Sequence, residues 1–238
     1  MSDAGLIVHL TFDGNTNDSS GNGNDGTSAS LTYAAGIRGQ AGVFTGTGSD
    51  SVHFDPFAID LAEYTLAGWF NASILSANAI MSLGENSGTR AAFQIGKFQP
   101  LSAGSVLAYD RPNGGNSGGQ TFAWTGLNAN EWYHFAVTRS GTNGELKLYL
   151  NGQLEMVNSL NGGDFNGLTD LVIGQNAPTL STQRLYNGLL DDIRVYDAVI
   201  SAGELAQISQ ISPVPEPASF AVWGLGVLGL AGIRHKRS

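Results

Sequence analysis

Cysteine is absent from this chain. That excludes disulfides, thiolate metal sites and cysteine nucleophiles, and it assigns no compartment. Charged side chains are also scarce, at 13 % of the 238 residues. The basic ones are fewest: 11 Lys and Arg against 20 Asp and Glu, for a net charge of -9. Three of the 11, Arg234, Lys236 and Arg237, sit in the last five positions, and Glu216 is the only acid after Ile211. Ahead of Pro213 there remain 8 basic and 19 acidic residues, a net of -11. Phosphate contacts need clustered Lys and Arg, so nucleic acid is not an expected partner.

Catalytic signatures are missing too. No Ser occupies a G-x-S-x-G elbow and no H-E-x-x-H occurs. His9, His53, His134 and His235 are dispersed. The glycines of PNGGNSGGQ, residues 112–120, precede no Lys and no helix pattern, so they read as a surface loop and not as a phosphate cradle.

Glycine is plentiful, with 33 residues, and it separates short β-like runs. Tyr64–Ala72 and Trp132–Arg139 alternate apolar with polar residues. Glu145–Leu150 is the clearest strand: Leu146, Leu148 and Leu150 share one face, with Glu145, Lys147 and Tyr149 opposite. Asn151-Gly152 predicts a hairpin returning through Gln153–Val157. Further runs lie at Leu6–Phe12, Ser51–Phe54, Ala79–Leu83, Ala91–Ile95, Ser105–Tyr109, Thr121–Trp124, Leu171–Gly174 and Leu189–Tyr196. One helix is expected, from the capping box Ser201-Ala202-Gly203-Glu204 through Leu205 to Ile208. About a dozen short strands with Gly-rich turns imply an all-β sandwich or barrel.

The last 26 residues differ in kind. Three prolines within five positions, Pro213, Pro215 and Pro217, end the preceding structure. An uncharged stretch, 218–233, and a basic end follow. As a helix the stretch spans about 24 Å, slightly short of the roughly 30 Å hydrocarbon core, with the basic end staying cytoplasmic. Val214-Pro215-Glu216-Pro217, the hydrophobic span and Arg234–Arg237 together resemble the PEP-CTERM sorting signal of Gram-negative bacteria. The resemblance implies recognition by an exosortase, cleavage near the motif, and delivery to the cell surface or extracellular matrix. The expected division is a domain over 1–211, a linker over 212–217, a transmembrane helix over 218–233 and a basic tail over 234–238. MSDAGLIVHL shows no signal-peptide pattern, although such exported proteins are expected to carry one.

The body carries a second resemblance. Phe12-Asp13-Gly14, then TLAGW (65–69), WYHFAVT (132–138), LKLYLNGQL (146–154), LVIG (171–174) and YNGLLDDIRVYDAVISAGEL (186–205) follow in that order. They are similar to the LamG-like, concanavalin A-like jelly roll, which implies a sandwich of two antiparallel sheets over about residues 5–211. Phe44-Thr45-Gly46 departs from the family's usual Phe-Asp-Gly. Such folds also host glucanases and lyases, and a retaining glucanase needs two carboxylates about 5 Å apart. No E-x-D-x-x-E run occurs, and Asp191 and Asp192 are adjacent, hence on opposite faces of a regular strand.

FDGNTNDSSGNGNDG, residues 12–26, invites a calcium reading. As an EF-hand it fails, with Asp18 where Gly is needed and Asn24 where Glu is needed. Asp191 alternates with Leu189, Ile193 and Val195, which starts its carboxylate on an apolar face. It must then be paired, ligate a metal or become neutral. The resemblance implies a structural Ca²⁺ where the first and last strands meet, held by Asp191 with oxygens from Asp13, Gly14 or Asn15 and a carbonyl near Gly46. The alternative leaves Asp191 accepting backbone hydrogen bonds and the Asn/Asp side chains supporting turns.

The resulting expectation is an exported, surface- or matrix-associated, non-catalytic binding domain, with carbohydrate or exopolysaccharide as ligand. Tyr109, Asn116 and Trp124, in or near the Gly-rich region, form the expected ligand platform. The alternatives are a polysaccharide-cleaving enzyme on the same fold and a protein-binding adhesion or matrix component.

Overall fold

A computed structural model describes residues 5–54, 57, 59–61, 63–74, 79–85, 91–96, 106–110, 120–124, 126–141, 144–159, 165–176 and 184–210. Asn116 and the whole C-terminal tail from 211, with Val214–Pro217 and the 218–233 span, lie outside the described residues.

Fifteen strands and one helix are described: β1 (Leu6–Leu10), β2 (Thr32–Ala35), β3 (Gln40–Thr45), β4 (Val52–Phe54), β5 (Ile59–Leu61), β6 (Glu63–Ala72), β7 (Ala79–Glu85), β8 (Ala91–Gly96), β9 (Val106–Asp110), β10 (Gln120–Trp124), β11 (Trp132–Ser140), β12 (Glu145–Leu150), β13 (Gln153–Ser159), β14 (Phe165–Ile173), β15 (Asn187–Tyr196) and α1 (Ala202–Ile208). They form two antiparallel sheets. The larger runs β13-β12-β11-β6-β15-β3-β2, with β1 also on β15; the smaller runs β10-β9-β8-β7-β14-β4, with β5 also on β14. This is the expected jelly-roll sandwich. Strands β2, β3 and β5 have no clear alternating pattern and were not expected.

The inner faces close on one core. Leu66, Phe70, Phe135, Val137, Leu190 and Ile193 of the larger sheet join Val52, Phe54, Met81, Leu83, Leu171 and Ile173 of the smaller. The Asn151-Gly152 hairpin forms as expected, with both residues at positive φ (49° and 77°) as a type I′ turn requires.

The alternation expected of β6 and β11 is corrected. From Tyr64 to Phe70, and from His134 to Ser140, every residue is buried. The outer face is covered too. Helix α1 begins with the expected capping box and packs Leu205 and Ile208 onto Ala67, Ala136 and Tyr196. The Thr65 hydroxyl donates to Ala198 O (2.8 Å) and accepts from Ile200 N (3.1 Å), which fixes the approach to the helix.

Candidate functional site

Strand β15 changes partners midway along one edge. Asn187–Leu190 pair with β3, whereas Ile193–Tyr196 pair with β1. On its other edge Asp191 faces Trp69 while Arg194 faces Ala67, so three steps of β15 match two of β6. That is a β-bulge. Asp192 sits in it at φ 51°. A Cβ on Gly68, in the TLAGW stretch, would run into Ile193 beside the bulge.

The bulge overturns the alternation read from the sequence. Ile193 and Val195 stay in the inner core, but Asp191 goes to the outer face with Trp69. It is fully buried there. Its Oδ2 accepts from the backbone N–H of Ile37 (2.8 Å) and Arg38 (2.9 Å) in the turn between β2 and β3. Burial is the main influence on this carboxyl. Helped by the neighbouring Asp192 and only partly offset by the backbone donors, it lifts the pKa to about 7.

Asp13 grips the same turn from its other end, accepting from Gln40 N at 2.8 Å. Gly36 and Gly39 allow both approaches. A Cβ on Gly36 would lie 2.5 Å from Asp191 Oδ2, and one on Gly39 would collide with the Asp13 carboxylate.

Asp192, nearly buried, takes a histidine and two arginines as partners. His9 Nε2 donates to its Oδ1 at 2.6 Å, Arg194 Nη2 donates to the same oxygen at 3.1 Å, and Arg38 Nη1 donates to Oδ2. Burial alone would raise its pKa, but the His9 hydrogen bond and the two guanidiniums outweigh it and hold the carboxyl below the usual range. Through Nη2, Arg38 also donates to Ile208 O (2.9 Å) and Gln210 O (2.7 Å), at the end of α1. One arginine therefore joins the turn, the bulge and the helix. The sequence reading missed Arg38 and His9, because nothing in their own surroundings marks them.

His134 is buried with its ring centroid 5.1 Å from that of Trp69. Its backbone N–H donates to Asn151 Oδ1 at 2.9 Å, so the hairpin asparagine also secures β11. Burial lowers the imidazole pKa; Asp192 opposes, Arg38 and Arg194 add to the fall, and it settles at about 3. Trp69 is buried, while Trp132 is half-buried.

The five residues expected to hold Ca²⁺ do not gather. Asp13 and Asp191 meet one turn, but each meets it through N–H donors. The Gly14 N–H donates to Phe12 O, and the Asn15 amide donates back to Asp13 O. Gly46 lies past the far end of the β3–β15 pairing, roughly 16 Å along the strand from Asp191. Among the described residues no three His, Asp or Glu side chains form a metal-holding group. The set as described does not fit a shared Ca²⁺, which takes six to eight oxygens.

The 12–26 stretch is built around a different residue. Asp18 accepts from His9 N (2.9 Å), Ser20 N (2.8 Å), Ser20 Oγ (2.7 Å) and Asn24 N (3.0 Å). Burial works against its ionisation, yet these donors keep its pKa below the ordinary carboxylate range. The amides of Asn22 and Asn24 donate to Leu6 O and Ile7 O, so side chains bond to β1 much as a neighbouring strand would.

An open cleft of about 400 Å³ lies beside β4, at one edge of the smaller sheet. It is lined by Thr27, Ser28, Ala29, Gly48, Ser49, Ser51 and His53. A backbone bridge between Thr27 and His53 sets one wall. Gly48, at φ +79°, leaves the floor low beside Gln175, whose Oε1 accepts from Ser51 Oγ at 3.1 Å. Asp50 in the same loop is buried and closes it by accepting from Thr45 N (2.6 Å) and Thr45 Oγ1 (2.7 Å). Tyr109 and Trp124 belong to β9 and β10 near the opposite edge of that sheet, paired with Thr121 and Val106.

Comparison with known proteins agrees with this geometry. The model of the concanavalin A-like lectin/glucanases superfamily matches residues 45–206, and that of the PEP-CTERM protein-sorting motif matches 213–237. No curated protein matches. Domain 4 of AbnA, a GH43 extracellular arabinanase from Geobacillus stearothermophilus, solved with arabinotriose, superposes with a TM-score of 0.69 at 20 % identity, covering 87 % of this chain and 99 % of that one. The binding domain of botulinum neurotoxin DC, solved with SialylT, gives 0.64 at 13 %, covering 86 % of this chain and 51 % of that one. A pentraxin from Limulus polyphemus gives 0.60 at 17 %, covering 74 % and 84 %. This chain spans about half the length of the neurotoxin domain.

Proposed function

The chain belongs to the concanavalin A-like lectin/glucanases superfamily, and we propose that within it the protein is a non-catalytic carbohydrate-binding domain. Its sorting motif makes it a substrate of exosortase-type processing, with the cell surface or extracellular matrix as destination. The observation that carries the reading is the cleft beside β4. It is open, free of Asp, Glu, Lys and Arg, lined by hydroxyls, and contains His53, and the Gln175 amide stands behind Ser51. Such a surface suits a neutral polyhydroxy ligand that exchanges hydrogen bonds with water for hydrogen bonds with protein. The arabinotriose and SialylT complexes of similar folds support carbohydrate as the broader ligand class.

The buried acids support the absence of catalysis. Asp50 closes its own loop, Asp191 holds a turn, and Asp192 is enclosed by two guanidiniums and the His9 ring. None of these is an exposed carboxylate pair at the cleft. A glycan array probed with the purified chain is the test. Binding to neutral glycans, weakened at least tenfold by Ser49→Phe, is expected. Unchanged binding in that variant removes the cleft from the reading, and release of reducing ends from a bound polysaccharide removes the non-catalytic assignment.

A further inference from the structure

Three neighbouring side chains of the larger sheet each bury a polar atom that meets no hydrogen-bond partner: Asp191 Oδ1, Trp69 Nε1 and His134 Nδ1. They form one cross-strand row on the outer face, since Trp69 is the direct partner of Asp191 on β15 and of His134 on β11. The three residues are 0 %, 3 % and 1 % exposed.

One buried polar group without a partner is unusual in a native protein, and three in adjacent positions ask for a common cause. Their chemistry is complementary. The indole N–H only donates, the carboxyl oxygen accepts when ionised and donates when protonated, and the imidazole Nδ1 does either according to tautomer. Water has the two hydrogens and two lone pairs to match this set: it can accept from Trp69, donate to or accept from Asp191, and keep one hydrogen or lone pair for His134.

A cation fits poorly. It would face the indole N–H, which repels it. The other oxygen of Asp191 already takes two backbone N–H groups. Two guanidiniums, Arg38 and Arg194, stand at the adjoining Asp192. We infer that this row is a closed, metal-independent site for one neutral hydrogen-bonding molecule, water, which bridges Asp191 Oδ1, Trp69 Nε1 and His134 Nδ1 beneath the 36–39 turn. The site is internal and separate from the cleft, and it does not depend on a glycan ligand. It gives Asp191 the role that the family resemblance reserves for calcium binding, joining the two ends of the domain, by hydrogen bonds alone.

The test uses the full chain labelled at the tryptophan indole nitrogens, in EGTA. Water-selective NOE spectra are expected to show the Trp69 indole N–H, assigned by its loss in Trp69→Phe, in contact with a long-lived water. An indole proton without that contact overturns the inference. Terbium, which occupies calcium sites and is excited by a neighbouring indole, is added alone in a second experiment. No emission that disappears in Asp191→Asn is expected, and its appearance overturns the inference. If Asp191→Asn does not fold, thermal unfolding of the parent decides. An unchanged melting temperature between EGTA and millimolar Ca²⁺ is expected, and a rise with Ca²⁺ overturns it.

Discussion

Asp13 and Asp191, near opposite ends of the folded domain, hold the same connection, from the 36–39 turn to the first residue of β3. Asp191 takes the N–H groups of Ile37 and Arg38, and Asp13 takes that of Gln40. The turn lies where β1 ends and β3 begins along β15, so these bonds bridge the place where the sheet changes partner.

Removing the acceptor exposes what it does. Asp191→Ala leaves two N–H groups unmatched and is expected to destabilise by about 3 kcal/mol, whereas Asp191→Asn keeps an acceptor and costs about 1 kcal/mol. Urea unfolding of both variants measures the difference. Equal losses would show that the hydrogen bonds are not the source.

The dependence on pH has two opposing parts. Folded Asp191 keeps its proton up to about pH 7, while its ordinary value is 3.8. In that window the folded state binds the extra proton, so this contribution to stability falls as pH rises. Folded His134 stays neutral down to about pH 3, while its ordinary value is 6.5. There the unfolded state binds the extra proton, so stability falls as pH drops below 6.5. The windows overlap from 3.8 to 6.5 with opposite signs. The parent should gain little slope from this pair. Asp191→Asn should lose about 1.4 kcal/mol per pH unit on acidification relative to it. His134→Gln should slope the other way. Parallel stability profiles in parent and variants would sink this account.

Arg38 should matter more to α1 than to the sheets. Arg38→Ala removes the bonds to Ile208 O and Gln210 O and leaves Asp192 short of a cation. A loss of about 2–4 kcal/mol is expected. Arg38→Lys should recover little, since an ammonium cannot reproduce the forked contacts. Hydrogen exchange should show faster opening of 202–208 before the core strands respond. Uniform acceleration across both sheets would contradict this.

Gly36 has no room for a side chain. Its Cβ would meet Asp191 Oδ2 and the backbone of Gln40 and Ala41. Gly36→Ala should therefore destabilise strongly, while Gly21→Ala, with open space around it but φ +91°, should cost only about 1 kcal/mol of backbone strain. Thermal unfolding of the two variants checks the order.

Much of this was readable along the chain. The Leu146, Leu148 and Leu150 stripe, the Asn-Gly turn and the Ser201–Glu204 box all work within a few residues, and all three formed as expected. Strands β2 and β3 were not readable, because TYAA and QAGVFT carry little alternation and become strands only by pairing, β3 with β15 and β2 with β3. Nor was the role of Asp18, whose donors come from His9, Ser20 and Asn24 only once the loop folds back on β1.

The sequence by itself determined the strand count to within a few, the helix, the jelly-roll family and the sorting motif. Period-two patterns, turn residues and motif order are local or linear properties. Only the tertiary structure decided where Asp191 points. A single extra residue in β15 reverses side-chain parity, and whether that residue is accommodated depends on β6 opposite, where Gly68 leaves the space.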